Sequence, residues 1–361
     1  MSLKEKFLAF YHKNETKLHI GFFLAGFVFD YFMTGEIDDW FMLAQQIVYI
    51  LLIGWILSVE HLVDAGVMSI NRGKKIWDYR SLFIHFALGT VLNMYSFLFL
   101  KSASIFTSIA FVVFLLVVIV ANEMPRVQKS GVNVRWALLA LCLFSFFSVI
   151  CPLLLGFVGG FVFLLSAVAT ALFLYLHFRW MMKHQKNFRE LARAFLEPGL
   201  AVIALFVILY FLRLIPPVPL AAHDMGVYHN LEKSGGKFIV SHQKTWWKFW
   251  ESGDQTFLSR PGDQIYFFAQ IFSPARFSDE VTIHWLFDDP RNGWMSSDKV
   301  KMLIVGGRHQ GFRGYSVKRN YQPGHWRVQV ETTDGREIGR LYFQVIPDAS
   351  TNERVWEKHE F

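Results

Sequence analysis

The chain has 361 residues, of which 53% are hydrophobic, 17% aromatic and only 18% charged, and its formal net charge is +7. This composition leaves too little polar surface to cover a soluble protein of that length, so part of the chain is expected to be solvated by lipid. A disordered or collagen-like chain is excluded. The only two cysteines, Cys142 and Cys151, lie in one apolar run, which excludes a disulfide-stapled secreted domain.

Seven apolar runs approach the length of about 20 residues that a helix needs to cross the hydrocarbon core of a bilayer. They lie near residues 18–35, 40–63, 82–100, 102–121, 136–155, 157–178 and 199–215. The uncharged stretch 136–178 is too long for one crossing, so the chain is expected to turn back near Gly156. The sequence therefore predicts an all-α polytopic membrane bundle of about seven transmembrane helices over residues 1–217.

Basic residues are divided unevenly among the connections between these runs. Sixteen lysines and arginines fall in the N-terminal segment and in every second connection, whereas the other connections hold only Lys101. By the positive-inside rule, the N-terminus is expected in the cytoplasm, and seven crossings then place everything after Pro216 on the other side. The first run lacks a small-x-small cleavage site after it, so we interpret it as a retained signal anchor.

The segment 183–196 is basic and amphipathic, with apolar residues at helical spacing. This pattern predicts a helix that lies along the membrane interface. A docking site for a cytoplasmic partner is the alternative.

Beyond the proline-rich stretch at 216–219, the hydrophobic period changes from helical to two. Residues 281–287, 326–331 and 341–345 alternate, and Asp334-Gly335 supplies the tight turn of a hairpin between the last two runs. Further strands are expected at 238–250, 264–271, 300–305 and 312–317. About seven short strands predict an all-β antiparallel immunoglobulin-like sandwich over residues 218–347, followed by a polar tail at 348–361.

Several motifs in this region are similar to those of a known family. They are His284-Trp285, the Gly306-Gly307-Arg308 strand end, Arg313-Gly-Tyr-Ser-Val-Lys318, Gly324-His-Trp-Arg-Val-Gln-Val330 and Asp334-Gly-Arg336. Over roughly residues 281–346 the chain resembles the bacterial domain-of-unknown-function family 2914. The resemblance implies a C-terminal β domain in a bacterial envelope protein, often behind membrane helices, and it implies no catalytic residues. In this chain four residues separate Arg308 from Arg313. The resemblance therefore implies no role that depends on two adjacent arginines.

Polar side chains near the cytoplasmic ends of three predicted crossings form one candidate site. They are Glu60, His61, Asp64, His85 and His177. Glu60 and Asp64 share a helix face, and two carboxylates with up to three imidazoles are groups that bind a divalent metal or relay protons. The alternative interpretation is that all five are interfacial residues at helix ends.

The exported part offers binding candidates instead of catalytic ones. On a strand, Trp246 and Trp250 share a face that would pack on the membrane, stack on sugar rings or join the core. Arg308, Arg313 and Lys318 are expected to form a basic edge for an anionic glycan, lipid phosphate or acidic partner.

The familiar phosphate-loop, zinc-protease, serine-hydrolase and C-x-x-C motifs do not occur in the sequence. We therefore expect a non-enzymatic protein of the bacterial inner membrane, without a cofactor. Its partners would be the bilayer and an envelope glycan, a peptide or another membrane protein, bound by a periplasmic sandwich. Nucleic acid is not expected, because the exported part is nearly neutral. The alternative is a membrane-embedded metal-dependent enzyme or transporter that uses the Glu60 cluster.

Overall fold

The computed structural model describes residues 40–70, 73–102, 108–123, 132–243, 250–306 and 311–361. It also describes residues 14, 17, 18, 21, 25, 29, 104, 247 and 248. Contacts divide the chain into two compact units. The helical unit comprises Met1–Leu100, Ile109–Pro152 and Phe161–Ile215, and the β unit comprises Lys101–Ser108, Leu153–Gly160 and Pro216–Phe361.

The helical unit is built from long apolar helices. The described helices are α1 (Trp40–Asp64), the single turn α2 (Lys74–Trp77), α3 (Arg80–Lys101), α4 (Ile109–Glu123), α5 (Val132–Leu155), α6 (Gly160–Met181) and α7 (Phe188–Phe211). Five of them, α1, α3, α5, α6 and α7, are long and apolar enough to cross a membrane. This finding supports a helical N-terminal half with five candidate spans.

Two of the seven predicted crossings are not among these five helices. The run at 18–35 lies almost entirely outside the described residues. The run at 102–121 overlaps α4, of which the structure describes 15 residues, fewer than the about 20 of a complete crossing. The preceding segment, Lys101–Ser108, is assigned to the β unit.

The last helix begins earlier than its hydrophobicity predicts. Instead of a separate interfacial helix followed by a crossing from Gly199, the chain forms one helix from Phe188 to Phe211. It contains a π-helical turn at Ala192–Leu196, just before Pro198. A wider turn at this point accommodates a proline, which lacks the N–H needed for the regular helical ladder. The basic segment is therefore continuous with this candidate span.

The β unit contains three sheets of mainly antiparallel strands. The strands are β1 (Ala221–Tyr228), β2 (Asn230–Ser234), β3 (Lys237–His242), β4 (Thr256–Ser259), β5 (Ile265–Phe272), β6 (Ser278–Asp289), β7 (Gly293–Val305), β8 (Phe312–Lys318), β9 (Gly324–Thr332), β10 (Glu337–Pro347) and β11 (Glu357–Glu360). The sheet orders are β1-β5-β8, β4-β10-β9-β6-β7 and β11-β3-β2. Among the strands that the structure describes, β4 pairs in parallel with β10 and the other pairs are antiparallel.

The main core of the β unit is formed by alternating residues of the sheets β1-β5-β8 and β4-β10-β9-β6-β7. Phe267 from β5, Trp285 from β6, Val328 from β9 and Phe343 from β10 belong to one buried cluster. The predicted period of two along the last three strands thus separates core from surface. The predicted hairpin also forms: β9 and β10 pair antiparallel around Gly335, whose φ is 76°.

A connection between two helices contributes to this same core. Val158, in the Leu153–Gly160 segment, is buried in the cluster. Its N–H donates to Asp279 Oδ2 at 2.9 Å, and Gly156 O accepts from the Ser278 N–H at 2.8 Å. Burial raises the pKa of the Asp279 carboxyl. The predicted turn at Gly156 is therefore also an anchor on the first residues of β6.

Two further boundaries differ from those expected. The strand expected at 238–250 ends at His242, and Trp247 and Trp250 lie in turns. The expected polar tail forms β11, which pairs with β3. Phe361 stacks on Phe268 with ring centroids 4.5 Å apart, and Trp356 contacts the His229 ring, so two aromatic residues pack this segment onto the β unit.

Candidate functional site

In the candidate cluster of the helical unit, Glu60 is bound by two arginines. Glu60 on α1 accepts from Arg80 Nε at 3.1 Å and from Arg135 Nη1 at 2.7 Å, so both carboxylate oxygens are engaged by cations from α3 and α5. Such a buried, bridged carboxylate ties three helices together. Its partners were not foreseen, because they lie 20 and 75 residues away in the sequence.

The other members of the cluster do not join Glu60 around a metal. His177 Nε2 lies 2.8 Å from Ser58 Oγ, Asp64 is exposed, and His61 and His85 are buried. Within the described ranges, no three His, Cys, Asp or Glu side chains come together in a group that would hold a metal ion. The arrangement is that of polar contacts between helices.

The binding candidates of the β unit are placed differently from one another. Trp246 and Arg308 lie outside the described residues. Trp250 is 60% exposed and contacts Trp247, and Arg313 lies 5.8 Å from the Phe238 ring.

Lys318 does not form part of an exposed basic edge. It is buried, and its ammonium hydrogen-bonds Ser297 Oγ at 2.8 Å and forms a close ion pair with Asp298. These bonds hold the pKa of the Asp298 carboxyl below its usual range.

One concave site among the described residues of the β unit is a groove of about 510 Å³ at one end of the five-stranded sheet. Its aromatic residues are Trp294 on β7, His325 and Trp326 on β9, and Tyr342 and Phe343 on β10. Its polar residues are Glu251, Gln255, Thr256, Asp288 and Gln344. Sequence reasoning placed none of them at a site, because strand pairing alone brings them together.

Two half-exposed rings define the aromatic side of this groove. Trp294 and Tyr342 are each 36% exposed, and their ring centroids are 5.6 Å apart. The guanidinium of Arg327 lies 4.6 Å from the centroid of Trp294, and that of Arg340 lies 5.7 Å from the centroid of Tyr342. Cations over their faces hold both rings in place and restrict their rotamers. The two rings meet edge to face, with an angle of 60° between their planes, beside the polar residues of the groove.

A second polar feature of the β unit is fully buried. His229 Nδ1 lies 2.7 Å from Asp254 Oδ2, and its Nε2 lies 3.0 Å from the Leu258 carbonyl oxygen. The ring stacks on Phe257 with centroids 3.9 Å apart. Asp254 Oδ1 also accepts from the Gln243 N–H at 2.8 Å. Every polar atom of the imidazole is engaged, so this pair is structural.

Comparison with known proteins identifies one family in the β unit. The family described as Protein of unknown function (DUF2914) matches residues 278–345, from the first residue of β6 almost to the end of β10. This match agrees with the resemblance inferred from the sequence and with its C-terminal position. No curated protein matches the chain.

Several solved structures are distantly similar. An immunoglobulin-like protein from Pseudomonas aeruginosa has 12% identity and a TM-score of 0.22, covering 36% of this chain and 98% of that protein. A β-glucosidase from Listeria innocua has 10% identity and a TM-score of 0.17, covering 23% and 14%. An alkylpurine DNA glycosylase from Pseudomonas fluorescens has 12% identity and a TM-score of 0.19, covering 83% and 77%. Scores this low carry no argument.

Proposed function

We propose that the chain is a multipass protein of the bacterial inner membrane that uses its β unit, an immunoglobulin-like sandwich in the periplasm, to bind an envelope glycan. The observation that carries the proposal is the groove in which the rings of Trp294 and Tyr342 face polar side chains. A pocket with apolar walls and a few convergent polar groups is the usual form of a small-ligand site.

The chemistry of the groove favours a glycan over an anionic lipid or acidic peptide. Aromatic rings stack on the apolar faces of sugars, while carboxylates and amides pair with neighbouring hydroxyl groups. The lining provides the carboxylates of Asp288 and Glu251 and the amides of Gln255 and Gln344. Arg327 and Arg340 beside the rings balance these two carboxylates, so we expect recognition of a sugar by stacking and hydrogen bonding and not by net charge.

The division of the chain into units supports the proposed topology. The connections Lys101–Ser108 and Leu153–Gly160, which carry one basic residue between them, belong to the β unit. The connections that carry Arg179, Lys183 and Arg189 belong to the helical unit. Connections poor in lysine and arginine are those expected outside the cytoplasm. The run at 18–35 and α4 would complete the seven crossings.

The sandwich is supported by the way in which two sheets share one core. Residues from β1-β5-β8 and from β4-β10-β9-β6-β7 alternate inward into the same buried cluster. Trp285 lies in this cluster and donates its indole N–H to Ser316 on the opposite sheet at 3.2 Å. Two mainly antiparallel sheets that share one core in this way support the proposed immunoglobulin-like sandwich.

Binding is tested with the full-length protein in detergent and defined envelope glycans, including peptidoglycan fragments. We expect retention of at least one glycan, with Trp294→Ala or Tyr342→Ala weakening it about two- to tenfold, since an aromatic contact contributes about 0.5 to 1.5 kcal/mol. Trp247→Ala is the matched control, because this ring is 51% exposed and lies outside the groove. Equal retention by wild type and Trp294→Ala would exclude the groove as the binding site.

Topology is tested separately with reporter fusions after Gly35, after Lys101 and at the C-terminus. Reporters that function only outside the cytoplasm should be active at all three positions. Activity of a cytoplasmic reporter at the C-terminus would overturn the proposed location.

A further inference from the structure

Three polar side chains form a continuous hydrogen-bonded chain across adjacent strands of the five-stranded sheet. Ser296 Oγ on β7 lies 2.8 Å from His284 Nε2 on β6. His284 Nδ1 lies 3.0 Å from Glu331 Oε1 on β9. A hydroxyl, an imidazole and a carboxylate linked in this order are the parts of a serine-nucleophile site, which is recognised by geometry and not by sequence order.

The partners of the imidazole fix which nitrogen carries the proton. An ionised carboxylate only accepts hydrogen bonds, so Nδ1 of His284 donates to Glu331. In the neutral ring, Nε2 then has a lone pair, which faces the hydroxyl of Ser296. The ring is therefore oriented to accept the serine proton. His229 differs from it, because its nitrogens face the Asp254 carboxylate and the Leu258 carbonyl oxygen, both of which are acceptors.

The three hydrogen-bonded side chains differ in their exposure to solvent. The side chains of Glu331 and His284 are only 17% and 11% exposed, whereas Ser296 is exposed. The two supporting groups are thus shielded, while the hydroxyl is open to a reactant. On a merely solvated surface ladder, all three side chains would be exposed.

A β-bulge brings the serine into position. The register of β6 and β7 shifts between Trp285, which pairs with Asp298, and Leu286, which pairs with Ser296. Ser297 is the extra residue, and it points away from the imidazole to contact Lys318. Bulges bend a strand and redirect side chains, and they are frequent beside active sites. Lys299 pairs directly with His284 and offers a flexible cation on the same side of the sheet.

We propose that Ser296, His284 and Glu331 form a nucleophilic site that cleaves short-chain carboxylic esters. Ser296 Oγ attacks the ester carbonyl carbon while its proton passes to His284 Nε2. The carbon–oxygen bond to the alcohol then breaks, and the alcohol takes that proton, leaving an acyl-serine. Water, deprotonated by the same imidazole, releases the acid and restores the serine. Lys299 stabilises the oxyanion, and Glu331 is a positioning residue.

The natural carrier of the ester follows from the groove, and this part rests on the proposed function. Trp294 lies two residues from Ser296 on β7, about 7 Å along the strand. An O-acyl group on a sugar bound at Trp294 would reach the serine.

The chemistry is tested with the full-length protein in detergent, a fluorophosphonate probe and p-nitrophenyl acetate. The probe should modify the peptide that contains Ser296, and Ser296→Ala should abolish labelling. His284→Gln should slow both labelling and turnover at least about 100-fold. Glu331→Gln should lower kcat by a similar factor, because the amide no longer fixes the tautomer of His284. KM should be unchanged, because Glu331 does not contact the substrate. Ser297→Ala, one residue away, should label as wild type.

The outcomes separate the two proposals. Mapping the probe on wild-type protein requires no variant, so a misfolded mutant cannot obscure the result. Absence of both labelling at Ser296 and ester turnover in the wild type would overturn the site, as would wild-type labelling in Ser296→Ala. Acetate release from an O-acetylated glycan would support the carrier. Turnover of the small ester without such release would retain the triad and exclude the glycan ester.

Discussion

Replacing Gly156 with alanine tests the anchor between Leu153–Gly160 and β6. Gly156 has a φ of +81°, and a Cβ there would lie 2.7 Å from the carbonyl oxygen of Arg276. The left-handed conformation costs an L-residue about 1 to 2 kcal/mol. Overlap with a backbone atom adds about 1 to 3 kcal/mol, since neither the helix connection nor the start of β6 can move freely. We expect a total loss of about 2 to 5 kcal/mol.

The matched control is Gly235→Ala, in the turn between β2 and β3. Gly235 has a φ of +58°, but nothing lies within 4 Å of an added Cβ. This variant therefore carries the conformational cost alone. The difference between the two variants isolates the overlap and amounts to about 1 to 3 kcal/mol, or roughly 2 to 12 °C in Tm for a unit of this size.

The assay is thermal unfolding of the full-length protein in detergent, followed by fluorescence. Trp285 and Trp326 are buried in the core of the β unit and report on its unfolding. The Gly156→Ala transition should lie clearly below that of Gly235→Ala. Equal midpoints would refute the close packing of the Gly156 turn against Arg276.

Three further predictions concern the polar pairs. His229→Ala should destabilise the β unit by about 3 to 5 kcal/mol in denaturant unfolding, because it leaves Asp254 charged and buried without its partner; a loss below about 1 kcal/mol would contradict this. Hydrogen bonds from Ser350 and Arg260 lower the pKa of Asp348 to about 2. The ionised carboxylate therefore contributes its full stabilisation of the fold above the ordinary carboxyl range near pH 4, and this contribution is lost as the pH falls towards 2. In acid titrations of Tm, Asp348→Asn should remove part of the loss between pH 4 and 2, and an unchanged slope would refute the assignment. Glu60→Gln should lower Tm, because it weakens the bonds from Arg80 and Arg135. Chelation by EDTA should leave Tm unchanged, and a drop in Tm with EDTA would instead support a metal site at the cluster around Glu60.

The sequence predicts those parts of the fold in which a local period is visible. The alternation around Trp285, Val328 and Phe343 identifies the inner faces of β6, β9 and β10, because side chains alternate strictly along a strand. The Asp334-Gly335 turn fixes the register of one hairpin. Apolar runs likewise locate five long helices.

Features that depend on distant pairing are not visible in the sequence. His284 reads only as a polar residue in an alternating strand, and its partners Ser296 and Glu331 follow from strand register. A bulge at Ser297 alters that register, and no local pattern announces it. Val158 reads as part of an uncharged turn, although it belongs to the β core. Lys318 reads as surface charge because Asp298 is matched to it only after folding.

The β unit is assembled from three separate segments of the chain, and this has a consequence for its folding during synthesis. Synthesis proceeds from the N-terminus, so Ser104 and Val158 are made well before the strands that they join. Ser104 hydrogen-bonds Glu337, which is 233 residues away in the chain. Domains with such distant contacts close slowly. The segments that contain Ser104 and Val158 are synthesised before α7, but their partner strands are synthesised after it. The core of the β unit can therefore be completed only when translation is almost finished.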